Sequence, residues 1–161
     1  MHMKIMKIGA MLLPLLFSAG AAVAGPGDAG HSHTSFSAGE PGNPKKPFRV
    51  VEVKMHEGAG KMGYTPENVT VKRGEQIKFV ITNSGELKHE FILASEKDNL
   101  KHAELMKKYP EMEHDDPNAK NLEPKAKSEI LWRFSKRGTF EYSCLIPGHR
   151  EAGMTGKVTV K

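Results

Sequence analysis

From Phe48 onwards the chain is a series of short apolar–polar alternations, each broken by a turn, and that pattern leaves little besides an all-β fold. Phe48 to Met55 is β-prone and carries Val50, Val51 and Val53. Val69 and Val71 alternate with polar neighbours up to a turn at Arg73-Gly74-Glu75. Ile77, Phe79 and Ile81 then alternate strictly until Asn83-Ser84-Gly85. Further strands are expected at Phe91 to Leu93, Ile130 to Phe134, Thr139 to Cys144 and Lys157 to Val160, with Trp132 in the core. No α/β alternation interrupts this stretch, so an antiparallel Greek-key β-sandwich is expected. One segment departs from it. Ser95 to Tyr109 has a capping residue with Asp98 three positions on, and Leu100, Ala103 and Met106 at helical spacing, and it stops at Pro110. The polar run from Glu111 to Pro124 reads as a loop, so 95–124 forms a short helical insertion between two strands.

The first 47 residues look different. Lys4 and Lys7 precede an apolar run from Ile8 to Phe17, and Ala22-Val23-Ala24 follows with a small-x-small pattern. That order is a secretory signal peptide, expected over 1–24. The apolar run falls short of the about 20 residues that a membrane span needs, so no span is expected after cleavage. Residues 25–47 are rich in Gly, Pro and Ser, carry His31 and His33, and read as a flexible leader. Residues 48–161 then make one domain.

The formal charge of +5 loses two positive charges with the signal peptide, and the rest are mixed in sign. No basic block with interleaved aromatics is present, so nucleic acid is not an expected partner. Cys144 is the only cysteine. An intramolecular disulfide is therefore impossible, and a lone thiol in an exported chain needs protection by burial or by a metal.

Cys144-Leu-Ile-Pro-Gly-His149-Arg-Glu-Ala-Gly-Met154 is the strongest chemical signal. A thiolate and a thioether suit a soft, reduced copper ion, and imidazoles suit both of its oxidation states. Two His, one Cys and a weak axial Met make a blue-copper ligand set. Pro147-Gly148 and Ala152-Gly153 supply the turns that bring His149 and Met154 back towards Cys144. The fourth ligand must come from another strand, and His89, after an Asn-x-Gly turn and before an apolar strand, is the candidate. A nucleophile–base pair of Cys144 and His149 has no orienting third group and no oxyanion-hole motif to support it. His102, Met106, Met112 and His114 could form a second, softer Cu(I) site, because His102 and Met106 share a helix face. The competing reading puts Met106 in the core and the histidines in water.

Cys-x4-His-x4-Met near the C-terminus, with Gly85-x-x-x-His89 at the start of a strand, resembles the plastocyanin/azurin family over Phe48 to Lys161. The loop spacing is similar to that of the auracyanin and azurin branch, with one more residue before Met154 than azurin has. Lys88-His89-Glu90-Phe91, the Met112-to-Pro117 segment and the His-x-His leader resemble the periplasmic copper-resistance cupredoxins of bacteria. The resemblance implies a cupredoxin fold, a mononuclear copper site, a periplasmic location and a part in copper tolerance. Glu90 departs from the pattern, since azurins have an Asn there that hydrogen-bonds near the thiolate.

Two functions stay open on these residues. One is copper sequestration or handling, with a copper-transfer protein as partner. The other is one-electron transfer between redox partners, for which Ile146 and Pro147 could line an apolar patch. An enzyme is not expected, because copper oxidases and reductases need a further centre and a binuclear thiolate site needs two cysteines. A monomer is expected.

Overall fold

The computed structural model describes residues 35–110 and 116–161. Ten strands and one helix follow in chain order. They are β1 (Glu40–Pro41), β2 (Arg49–Gly58), β3 (Lys61–Thr65), β4 (Asn68–Val71), β5 (Gln76–Asn83), β6 (His89–Ala94), α1 (Glu96–Lys108), β7 (Ala119–Leu122), β8 (Lys127–Arg133), β9 (Gly138–Ser143) and β10 (Thr155–Val160). One sheet runs β1-β8-β5-β2-β3 and the other β4-β10-β9-β6-β7. The chain changes sheet after β3, β4, β5, β7 and β8, so successive strands build opposite layers of a sandwich.

The sheets are mixed rather than wholly antiparallel. β2 pairs with β5, and β4 with β10, in parallel. A strand with one face buried alternates in the same way whichever direction its neighbour runs, so the apolar pattern carries no information on this point.

Alternation sets which side chains meet between the layers. Val51, Val53 and Met55 on β2, and Ile77, Phe79 and Ile81 on β5, point inward and are essentially buried. Aromatic rings from both sheets fill the centre. Phe91 stacks on Tyr142 with centroids 5.1 Å apart, and Tyr64 meets both edge-on. Each fully buried aromatic stabilises the fold by about 1.5–3 kcal/mol in apolar area alone. At one end both inward rows turn polar. Glu57 continues the β2 row beyond Met55, and Asn83 continues the β5 row beyond Ile81. The parallel register sets Met55 beside Asn83.

The expected leader through Pro47 is not loose in its described part. Ala38 is fully buried, Phe36 meets Trp132 edge-on with centroids 5.3 Å apart, and β1 pairs with β8. Trp132 Nε1 donates to the Ala38 carbonyl at 3.1 Å. Gly, Pro and Ser set backbone flexibility, but the indole needed an acceptor and a cover, and this segment supplies both. The signal-peptide residues, His31 and His33 lie outside the described residues.

The insertion also differs in part. α1 is capped as expected, with the Ser95 hydroxyl accepting from the Asp98 N–H at 3.1 Å. Its buried positions are Asn99 and Met106, whereas Leu100 is exposed. Asn99 Nδ2 donates to the Glu141 carbonyl at 3.3 Å, so an amide docks where Leu100 was expected, while Ala103 and Met106 pack against Ile92, Ala119 and Leu145 as the helical spacing predicts. The stretch read as loop contains β7, which pairs with β6. Within β7 only Ala119 and Leu122 are buried, too few for the pattern to announce a strand. Among the described residues no helix is long and apolar enough to cross a membrane.

Candidate metal centre

Cys144 follows β9, and the loop that carries it closes on itself before β10. The Cys144 N–H donates to the Met154 carbonyl at 3.2 Å, and the Met154 N–H donates to the His149 carbonyl at 3.1 Å. The His149 N–H donates to the Ile146 carbonyl at 3.0 Å. Two reversals need backbone that L side chains avoid, and glycines stand at both, Gly148 at φ +90° and Gly153 at φ +104°. Cys144 and Met154 are both fully buried in the main core.

His89 arrives from β6 and is also fully buried. Its Nδ1 lies 3.2 Å from His149 Nδ1, and His149 Nδ1 lies 3.3 Å from the Cys144 sulfur. The three donor atoms fall within 4.8 Å of one another. His149 is half-buried and Pro147 is exposed, so this end of the sandwich reaches the surface through the loop. Three of the expected residues thus converge, from two strands of one sheet. Met154 is tied to them through its backbone.

Burial pushes the Cys144 thiol up to about 12, against hydrogen bonds from the Glu90 and Ile146 N–H groups that favour the thiolate. A buried thiol of that kind is no nucleophile at neutral pH, which tells against a Cys–His hydrolytic pair. A cation bound in the cluster would displace its proton. Burial, and then the neighbouring His89, hold His149 below the ordinary histidine value against an opposing effect of Glu57, which favours the uncharged imidazole that can ligate. Two imidazoles, one displaceable thiol proton and a buried thioether fit copper.

Glu90 is the departure from the azurin pattern, and its side chain is buried. Its backbone N–H donates to the Cys144 sulfur at 3.3 Å, and its carboxylate accepts the Leu145 N–H at 3.1 Å. It therefore holds both the Cys144 sulfur and the backbone of the next residue. Burial raises its carboxyl above the usual range, against opposing effects of the Leu145 hydrogen bond and of Lys88. Arg150, next to His149, pairs with Glu141 on β9 at 2.9 Å.

Two supporting residues, Asn83 and Glu57, were not among the expected site residues, although Asn83 opens the Asn-x-Gly turn before His89. Asn83 Nδ2 donates to the Leu87 and Leu122 carbonyls at 2.7 and 3.1 Å, and its Oδ1 accepts the Gly85 N–H at 2.9 Å. Glu57 Oε2 lies 3.0 Å from His89 Nε2. The available signal was the inward row of β2, which Glu57 extends by one step. The second site is only partly visible. Met106 is buried against Ile92, Ala119 and Leu145, His102 is half-buried, and Met112 and His114 lie outside the described residues.

Residues 51–161 match the family described as copper binding proteins, plastocyanin/azurin family. The chain belongs to that family. Copper is its cofactor. The chain is 43% identical over 145 residues to the copper-resistant cuproprotein CopI of Rubrivivax gelatinosus, covering 83% of this chain and 86% of that protein. It is 33% identical over 155 residues to the copper-resistant cuproprotein CopI of Pseudomonas aeruginosa, covering 76% of this chain and 82% of that one. Among solved structures, auracyanin B superposes with a TM-score of 0.60 at 20% identity, over 77% of this chain and 96% of that one. That likeness shows the plastocyanin/azurin-type sandwich.

Proposed function

We propose that this chain is an exported, periplasmic protein of copper tolerance with a mononuclear, type 1-like site. In this reading His89, Cys144 and His149 hold the ion and Met154 supplies a weak fourth ligand. The observation that carries it is the convergence of the three donor atoms within 4.8 Å, at the end of a packed core. Copper bound there supplies a one-electron couple between Cu(II) and Cu(I). The protein's part is to fix the donors beforehand. β6 and the Cys144–Met154 loop set them in place, Glu90 holds the Cys144 sulfur and the Leu145 N–H, and the aromatic core keeps water from the sulfur. Tolerance rests on the relatives named copper-resistant cuproproteins. Export rests on the signal-peptide pattern at Lys4 to Ala24. We read the chain as a binding protein rather than an enzyme, because its single cysteine permits a single thiolate centre.

One observation favours electron transfer as the second reading. His149 is only half-buried beside exposed Pro147, so one ligand approaches the surface where a redox partner would dock. Copper titration of the mature protein, with visible absorption, electron paramagnetic resonance and metal counting, tests both. One Cu(II) with an intense thiolate band that vanishes on reduction supports the site. Extra Cu(I) bound per chain favours tolerance, and a single copper with reversible reduction favours the carrier. Cys144→Ser should abolish the band and leave the fold intact. Copper binding without a thiolate band overturns the ligand assignment.

A further inference from the structure

We propose that Glu57 is a positioning residue for the copper centre, holding His89 with Nε2 turned outward and Nδ1 turned into the donor cluster. This rests on the reading of His89 as a ligand.

Glu57 ends the inward-facing row of β2, so period-two alternation aims its side chain at the site end of the sandwich. A carboxylate in that row needs partners, and the turn before His89 provides them. Oε1 accepts the backbone N–H groups of Leu87, at 2.9 Å, and of Glu86. Oε2 lies 3.0 Å from His89 Nε2. The cradle is shaped for the carboxylate, since a Cβ on Gly85 would stand 1.7 Å from Oε2. The Glu57 side chain is 18% exposed and that of His89 fully buried.

The consequence for His89 follows from hydrogen-bond inventory. An ionised carboxylate only accepts, so its imidazole partner must carry the proton on Nε2. In the uncharged ring that a metal needs, Nδ1 is then left with a lone pair, 3.2 Å from His149 Nδ1 and facing the cluster. A ligand histidine that donates to a carboxylate is oriented and more basic, and losing such a partner typically costs about 10–100-fold in metal affinity. The nearby negative charge favours Cu(II) over Cu(I), so Glu57 also sets the potential downward.

Glu57→Gln tests this in the full mature chain. The carboxamide oxygen can keep the Glu86 and Leu87 N–H groups, and its NH2 then faces His89 Nε2 and demands an acceptor there. Expected are a shift of His89 towards the Nδ1–H tautomer in 15N imidazole spectra of the metal-free protein, and Cu(II) binding weakened about 10–100-fold. With Cu(I) binding unchanged, each tenfold loss corresponds to a rise of about 59 mV in potential. Gly85→Ala, which keeps the charge but displaces the carboxylate, should move tautomer and Cu(II) affinity the same way, and it carries the test if the Gln variant does not fold. A parent protein with the thiolate band, whose folded variants keep the parental tautomer, Cu(II) affinity and potential, overturns the proposal alone. A parent that binds copper without the band overturns the ligand reading, and the proposal with it.

Discussion

The Glu90 N–H donates to the sulfur of Cys144 across 3.3 Å, while the Glu90 carboxylate holds the next residue, Leu145, by its N–H at 3.1 Å. One residue thus clamps the cysteine from β6, and it does so with a buried acid. The two halves of this relationship separate by mutation. Burial raises the Glu90 carboxyl in the folded state. Its contribution to stability is therefore fully present below the unfolded value and is lost as pH rises through the folded value. Glu90→Gln keeps an acceptor for Leu145 and removes the charge. The metal-free Gln variant should be more stable than the parent at pH 7, with the gap closing in acid. Glu90→Ala leaves a buried N–H without its acceptor and should lose about 1–3 kcal/mol. Urea unfolding of the metal-free proteins at neutral and acid pH checks both. A Gln variant less stable at pH 7 than in acid, relative to parent, would refute the sign.

Asn83 governs the approach to His89. It is fully buried and ties the Leu87 carbonyl, the Leu122 carbonyl and the Gly85 N–H into one knot. Leu122 pairs directly with His89 across β6 and β7. Asn83→Ala should cost about 1–3 kcal/mol through the groups left unpaired. Asn83→Asp should be no better, because its carboxylate has no N–H to offer the two carbonyls. Thermal unfolding read by circular dichroism decides the point, and an Asp variant of parental stability would contradict it.

Two glycines should respond to alanine for different reasons. Gly148 has φ +90°, and a Cβ there would meet nothing within 4 Å. Its substitution costs backbone strain alone, about 1–2 kcal/mol. A Cβ on Gly156 would stand 2.1 Å from the ring of Tyr142, which stacks on Phe91 in the centre of the core. Overpacking there costs about 1–3 kcal/mol and occasionally more. Gly156→Ala should therefore be the more damaging of the two in urea unfolding, although Gly148 lies in the ligand loop. The reverse order would show that the Tyr142 ring can move aside.

The approach of His149 to Cys144 was legible because both lie on one short loop, whose glycines and proline announce the turns. His89 was legible because it opens an apolar strand after a turn. Glu57 was not, since a carboxylate at the end of a strand ordinarily faces water. Only the cradle of 85–87, which is built by the fold, shows otherwise. β7 escaped because two polar residues separate its two buried ones, and Leu100 misled because α1 is anchored by Asn99 instead. The parallel pairs were invisible for the reason given by alternation itself. Local chemistry is written along the chain, whereas direction of pairing and acid burial depend on what the fold brings alongside.

Trp132 offers a test of the docked segment before β2. It is the only tryptophan, it is fully buried, and its Nε1–H donates to the Ala38 carbonyl while Phe36 lies against its ring. Parent protein should therefore emit at short wavelength. A chain beginning at Asn43 loses β1, Phe36 and Ala38 together. It should show red-shifted emission and lose at least about 1–3 kcal/mol, the cost of a buried donor left without its acceptor. The visible spectrum of the copper form should change little, because among the described residues His89, Cys144 and His149 take their hydrogen bonds from elsewhere in the sandwich. Fluorescence and urea unfolding of the two chains measure this directly. Unchanged emission and stability would mean that the segment before Asn43 rests on the sandwich without supporting it.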